Sequence, residues 1–331
     1  MTTSPTDDSI DAQPQPFPAA RFIKEIGRGK NGARSMSRAD AQGLYAAMLD
    51  GRVSDLEMGG ILLAMRIKGE SVAETAGFLD AAEASFEALA IPGGTAAPVI
   101  IPSYNGARKM ANLTPLLAML LAREGVPVLV HGVATDPGRV TTAEVFAALG
   151  LKPAATHEQA QADFAAGRPS FMAIETLAPK LARVLAMRRV LGVRNSTHTL
   201  VKMMQPFAGP ALRLVSYTHP EYLEMLAEYF TTAAPHERGH AFLMRGTEGE
   251  TVANANKAQR IDWFHDGERT VLVEKQLDAA EAPVLPSEKD AATTATWIQA
   301  VLRGDLPVPA PIAEQAAQCL AVARAITMRS L

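Results

Sequence analysis

The sequence predicts an α/β protein built as a small all-helical domain plus a larger α/β domain with a mainly parallel central sheet. Three observations predict it. Hydroxyl residues at candidate N-caps, each followed three positions on by a carboxylate, open a series of short amphipathic segments from about residue 37. Strand and helix signals then alternate from residue 99 to 149, the pattern of parallel strands joined by crossover helices. Residues 178–204 revert to a helical pattern without strand signals before strands resume at 211. The length of 331 residues is enough for two domains. The helical parts, 21–95 and 176–210, are expected to form one domain discontinuous in sequence, and 96–175 with 211–331 the α/β domain.

The elements follow in order. Residues 1–20 hold four prolines, Asp7, Asp8 and Asp11 and no base, and are expected to be a disordered tail. Their polar, acidic start predicts no signal peptide. Ser37-Arg38-Ala39-Asp40, Ser54-Asp55-Leu56-Glu57 and Ser71-Val72-Ala73-Glu74 are the three caps. Leu44, Met48 and Leu49, then Met58, Ile61, Leu62 and Met65, then Ala76, Phe78 and Leu79 follow at helical spacing. Gly51 and Gly69 fall where the first two helices should stop. Val99-Ile100-Ile101 reads as a buried strand, 112–123 as a helix, 126–130 as the next strand and 141–149 as the next helix. Further strands are expected at 211–216, 241–244 and 270–274, with helices at 220–230 and 293–302.

Composition excludes several classes. Apolar residues make up 48% and charged residues 20%, an ordinary globular balance. No run approaches the apolar length of a membrane span. Cys319 is the only cysteine, so no intrachain disulfide or thiolate cluster can form, and it sits in an apolar helical run that reads as core. The expectation is a cytoplasmic protein. His236-Glu237-Arg238-Gly239-His240 matches the His-Glu-x-x-His pattern of zinc proteases, which requires both histidines on one helix face. Pro235, Gly239 and the strand signal that follows at once predict a turn instead, and no metal site is expected.

The net charge of −3 conceals an asymmetry. Residues 21–220 hold 22 Lys/Arg against 16 Asp/Glu, net +6, whereas 221–331 hold 10 against 16, net −6. Two runs stand out: Arg21, Lys24, Arg28, Lys30, Arg34 and Arg38 against Glu25 alone, and residues 176–220, with seven bases and no acid. A local excess of this kind attracts phosphate even when the whole chain is acidic. Taken by themselves, charge counts equally describe solvated basic faces.

Gly51-Arg52-Val53-Ser54-Asp55, the segment Gly59 to Glu70 (GGILLAMRIKGE) and Arg189-Val190-Leu191-Gly192-Val193-Arg194 resemble the anthranilate phosphoribosyltransferase family. The resemblance covers nearly the whole chain after the tail. It implies a helical dimerisation domain joined to an α/β domain, with phosphoribosyl pyrophosphate and magnesium bound between them. The segments 22–31, 101–109, 193–199 and 246–250 are more similar to the YbiB subfamily. That resemblance implies a homodimer that binds nucleic acid without sequence preference and needs no cofactor.

Departures from the enzyme pattern carry weight. Where the enzymes have Gly-Thr-Gly-Gly-Asp to cradle pyrophosphate with backbone N–H groups, this chain has Pro102, Ser103, Tyr104, Asn105 and Gly106. Proline has no N–H to donate and Tyr104 brings a ring. The enzymes' Asn-Ile-Ser-Thr becomes Asn112-Leu113-Thr114-Pro115, and their Lys-His-Gly-Asn becomes Val130-His131-Gly132-Val133. Their adjacent acidic pair for magnesium is replaced by the segment Glu248-Gly249-Glu250-Thr251. Arg194 matches an arginine that meets anthranilate in the enzymes. Transfer of a phosphoribosyl group needs a metal-neutralised leaving group and preorganised donors. Ser103, Tyr104, Asn105, Gly106, Asn112, Thr114, His131 and Gly132 are therefore expected to be a vestigial phosphoribosyl pocket. The alternative is a transferase with a diverged site, using a phosphoribosyl pyrophosphate-like donor and magnesium.

For nucleic acid, the candidates are Lys24, Arg28, Lys30, Arg34, Arg108, Lys109, Arg188, Arg189, Arg194 and Lys202, converging in a groove between the domains and across the dimer. Each phosphate they neutralise releases counterions, which makes binding salt-dependent. Tyr104 and Tyr217 are candidate stacking platforms, although Tyr104 equally reads as a ring that plugs the old pocket. With aromatics at 5% and no recognition motif, base-specific readout is not expected.

Overall fold

The computed structural model describes residues 15–29, 31–276 and 283–330. Chain order gives helices α1 (Ala20–Ile26), α2 (Arg38–Leu49), α3 (Asp55–Lys68) and α4 (Val72–Glu83), then strand β1 (Val99–Ser103), α5 (Thr114–Arg123), β2 (Val128–Gly132), α6 (Thr142–Ala148), α7 (His157–Ala165) and β3 (Ser170–Ala173). Four short helices follow: α8 (Ile174–Leu177), α9 (Pro179–Ala186), α10 (Arg188–Leu191) and α11 (Thr197–Leu200). Then come β4 (Ala211–Tyr217), α12 (Pro220–Thr232), β5 (Gly239–Arg245), the hairpin of β6 (Ile261–His265) and β7 (Glu268–Val273), α13 (Ala291–Arg303) and α14 (Ala310–Ser330).

The caps form where the sequence places them. Ser54 and Ser71 accept from the amides of Glu57 and Glu74, and both glutamates reach back to complete capping boxes. Ser37 accepts from Asp40 N. Glu74 goes further. Its fully buried carboxylate also accepts from Met36 N at 2.9 Å and pairs with Lys68 Nζ at 2.6 Å, tying α3 to α4 and to the chain before α2. Removal of Lys68 would strand that charge away from water, the costly way to break a buried pair.

The seven strands lie in the order β3-β2-β1-β4-β5-β6-β7. The first five are parallel, and β6 and β7 add an antiparallel edge. Alternation of side chains sends Val99, Ile101, Val128 and Val130 to one face, against α5, α6, α13 and α14. Ile100, Leu129, Met172 and Leu243 face the other way and join one continuous core with α12 and the helices α1–α4. Cys319 is buried in the first of these layers, as its apolar run predicts, and burial pushes its thiol above the usual range. The second helical segment packs on the first: α9 lies on α2 and α11 on α4.

Two expectations need correction. The folded chain begins before residue 21, because Phe17 stacks on Phe22 and its amide donates to Arg52 O, while Ala19 is fully buried. The rest of the proposed tail, residues 1–14, lies outside the described residues, as does Lys30. Strands β3 and β6 and helix α7 have no counterpart among the expected elements; each is short or lies towards an edge of the sheet. The His-Glu-x-x-His segment behaves as predicted, a 3-10 turn at His236–Arg238 running straight into β5.

Candidate functional site

In the strand order, β1 and β4 are neighbours although the connections from β1 to β2 and from β4 to β5 run in opposite directions. A crevice therefore opens beyond their C-terminal ends, the usual ligand position in an open parallel sheet. Four chain segments meet there: the loop after β1 (104–113), the segment 194–203, the start of α12 and the loop after β5 (246–251). Tyr45 Oη bonds to Thr197 Oγ1 at 2.7 Å and Glu70 bonds to Ser196, so the first helical segment fixes where Arg194 and Lys202 stand.

Much of the expected phosphoribosyl pocket is consumed by its own internal bonds. Tyr104 is only 7% exposed and its Oη lies 2.7 Å from His131 Nδ1, so the ring fills the pocket and offers no face for stacking. His131 is fully buried, and burial lowers its pKa to about 3, leaving a neutral imidazole. Ser103 Oγ donates to Thr142 Oγ1 at 2.8 Å. Asn112 Nδ2 donates to the same hydroxyl and to Val140 O, and Asn112 Oδ1 accepts from Thr114 N. Gly132 passes so close to the Ser103 carbonyl that no Cβ fits, and Gly106 turns at φ 65° beneath Val140 O. These two glycines are demanded by packing as it stands.

The backbone amides of the loop after β1 are also taken. Glu250, 2% exposed, accepts from Asn105 N at 2.8 Å and Gly106 N at 2.7 Å through one carboxylate oxygen. Glu248 accepts from Arg108 N at 2.9 Å, Lys109 N at 3.0 Å and Met110 N at 3.2 Å. Glu248 adopts φ 53°, a left-handed conformation unfavourable for a residue with a Cβ, and Gly249 follows at φ 96° with Asn105 packed where its side chain would be. Partial burial raises the Glu248 carboxyl, but the three amides and nearby Arg139 outweigh that and hold it below the ordinary range. Two carboxylates of this chain thus occupy the positions an anionic ligand would take at an amide-rich turn. The sequence singled out this acidic segment for its resemblance and for its lack of adjacent carboxylates; pairing at a separation of about 140 residues left no local signal.

Around this plug stand cations that form no ion pair among the described residues. Arg194 donates to Asn105 Oδ1 at 2.8 Å, Lys202 Nζ to Gly249 O at 3.0 Å and Arg139 to Gly106 O at 3.3 Å, all neutral acceptors. None of Arg66, Arg139, Arg188, Arg194 and Lys202 forms an ion pair among the described residues. Arg194 is depressed by burial and by Arg188, Arg139 and Arg66. Burial also lowers Lys202 to about 8, with Glu250 opposing and Arg194 and Arg139 adding to the shift, and lowers His198 to about 4, helped by Arg194 and Arg188. Arg66, Arg194 and Lys202 line a cavity of about 120 Å3 whose wall also includes Tyr217 and Tyr222.

The other expected contacts lie apart from that cavity. Arg28 and Arg34, in the segment after α1, share Glu25 of that helix, at 2.5 and 3.9 Å, and α1 packs on α3. Lys24 is on the same helix. Arg108 and Lys109 are exposed on the loop after β1, where Lys289 Nζ bonds to Arg108 O, and Arg189 is exposed on α10. Arg66 and Arg139 are not singled out as cations in the sequence: Arg66 lies in the segment 59–70, read there for its resemblance, and Arg139 is a lone base in its neighbourhood. His240, buried in β5, receives a bond from Trp263 Nε1 at 3.2 Å, and no metal-holding group of His, Cys, Asp or Glu occurs among the described residues.

A helical bundle set against a parallel sheet, with a crevice at the switch of strand order, defines the phosphoribosyltransferase-like architecture in which two domains face each other across a binding cleft. The chain belongs to the glycosyl transferase family with a helical bundle domain, matched over residues 20–85, and an a/b domain, matched over residues 105–326. It is 50% identical to YbiB of Escherichia coli (strain K12) over 301 residues, 91% of this chain and 92% of that protein. It is 27% identical to the anthranilate phosphoribosyltransferase of Novosphingobium aromaticivorans over 279 residues, 82% of this chain and 81% of that enzyme. Among solved structures, the anthranilate phosphoribosyltransferase of Thermus thermophilus shares the fold at a TM-score of 0.70 and 20% identity, covering 93% of this chain and 89% of that one. The Saccharomyces cerevisiae enzyme in complex with PRPP and Mg matches at 0.62 and 12%, over 95% and 98%. No helix among the described residues is long and apolar enough to cross a membrane.

Proposed function

We propose that this family member is a non-catalytic, homodimeric protein that binds DNA and RNA without sequence preference through the basic cleft, and needs no cofactor. The observation that carries this reading is the occupation of the loop after β1 by Glu248 and Glu250. A pyrophosphate would have to displace both carboxylates, and a magnesium ion would have to draw them off five backbone amides. The residues present therefore do not fit phosphoribosyl pyrophosphate with magnesium. The uncompensated cations beside that plug supply an attraction for polyphosphate, and donors turned to phosphate oxygens carry no sequence information.

The dimer is supported by an apolar stripe on α3. Leu56, Leu63 and Ile67 fall on one helix face and are 88%, 47% and 60% exposed, while Val190 on nearby α10 is 87% exposed. A stripe of this kind is expensive to leave in water. Arg188 and Arg189, on the same short helix as Val190, would then stand at its rim and continue the charge from one protomer to the other.

A second reading, transfer from a phosphoribosyl pyrophosphate-like donor, is favoured by the family and by three buried atoms without partners at the site: Thr114 Oγ1, His131 Nε2 and Glu250 Oε2. One preparation tests both. Filter binding of an arbitrary oligonucleotide at two salt concentrations is expected to show affinity that falls steeply with salt. Calorimetric titration with phosphoribosyl pyrophosphate and magnesium is expected to release no heat. Salt-independent or absent oligonucleotide binding, together with a saturable heat, would transfer the case to the second reading.

A further inference from the structure

We propose that the cavity framed by Arg66, Arg194 and Lys202 is a socket for a phosphate monoester, the terminal phosphate of a nucleic-acid strand, and not for the diesters along its length. This rests on the polyanion reading of the cleft and adds an end preference to it.

Size comes first. The cavity, of about 120 Å3, is several times what a single water needs and so has room for a phosphate group. It lies between α3, the 194–203 segment, the end of β4 and the start of α12. A diester must lead the chain in and out again, whereas a monoester carries one substituent and enters end-on with three oxygens free.

Charge points the same way. No Asp or Glu lines the cavity, and its three cations have no ion-pair partner among the described residues. Arg194 spends one donor on Asn105 and Lys202 one on Gly249 O, so both retain N–H groups for a ligand. A dianion compensates three positive charges, the half-buried Arg194 and Lys202 and the exposed Arg66, better than a diester's single charge does, and its bonds to guanidinium and ammonium are of the strong, charge-assisted kind. Glu250, the carboxylate closest in its effect on Lys202, already serves the amides of Asn105 and Gly106. Thr199 and Thr218 add hydroxyls to the wall, and Tyr217 and Tyr222 offer ring surface to the base that carries the phosphate. The same chemistry suits a 5′ end, a 3′ end or free phosphate.

The test is fluorescence anisotropy with one internally labelled single strand in three forms: 5′-phosphate, 3′-phosphate, and hydroxyl at both ends. At least one phosphorylated form is expected to bind about tenfold more tightly than the hydroxyl form, a difference of about 1.4 kcal/mol. Sodium phosphate, compared with chloride at equal ionic strength, is expected to abolish that difference while the hydroxyl-ended strand stays bound. Lys202→Gln is expected to abolish it too; the competition arm uses unaltered protein and so does not depend on how that variant folds. Equal affinity for all three forms, with phosphate no more effective than chloride, overturns the socket and leaves the polyanion reading standing. If no strand binds in any form, the polyanion reading fails; a phosphate-specific rise in melting temperature would then still support the socket, and its absence would remove both.

Discussion

Glu248 and Glu250 do for the loop after β1 what a bound anion would do. Backbone N–H groups buried without an acceptor cost about 1–3 kcal/mol each, so an amide-rich turn needs acceptors, and these carboxylates provide them. The consequence at the residue scale is a pH dependence with a definite sign. The Glu248 carboxyl titrates below its ordinary 4.5 in the folded protein. Its contribution is therefore fully present above the unfolded value of about 4.3, and is lost as pH falls through the lower folded value. Hydrogen exchange of the amides of Arg108, Lys109 and Met110, corrected for intrinsic rates, is expected to stay slow at neutral pH and to speed up below about pH 4. Exchange that does not change across that range would mean the carboxylate is not what protects them.

At the scale of elements, α3 and α10 divide two tasks. The inward face of α3 packs Met58, Ile61, Leu62 and Met65 into the core, and its C-terminal part brings Arg66 to the cleft. Its outward stripe is free for a partner. Replacing Ile67 with glutamate leaves the buried face untouched and puts a charge into the proposed dimer contact. Analytical ultracentrifugation of Ile67→Glu is expected to show a folded monomer, with the dimer dissociation constant raised at least about a hundredfold, or ~2.7 kcal/mol. A variant that remains dimeric at dilute concentration would place the contact elsewhere. The capping boxes at Ser54 and Ser71 were legible because they are local, a hydroxyl and a glutamate three residues apart. Strand β3 was not legible, since Ser170-Phe171-Met172-Ala173 is too short for a period and owes its burial to α7 and α8.

At the scale of the molecule, five cations from residues 66, 139, 188, 194 and 202 form one electropositive region that no stretch of sequence displays. Each phosphate contact removed should lower the slope of log affinity against log salt by about 0.7 for a single strand. Arg188→Gln, a half-buried position outside the packed core, is expected to reduce the slope by about that amount and to weaken all sequences alike. An unchanged slope would exclude Arg188 from the contact set.

The sequence by itself determined the two-domain α/β architecture and the family, because capping, periodicity and motif identity act over a few neighbouring residues. Tertiary structure alone decided the rest. It turned Tyr104 inward onto His131, closed Glu248 and Glu250 over amides about 140 residues away, and separated the Arg28–Arg34 patch from the cavity. The physical reason is range: hydrogen bonds and Coulomb forces act over ångströms in space, and only folding sets which distant residues come that close.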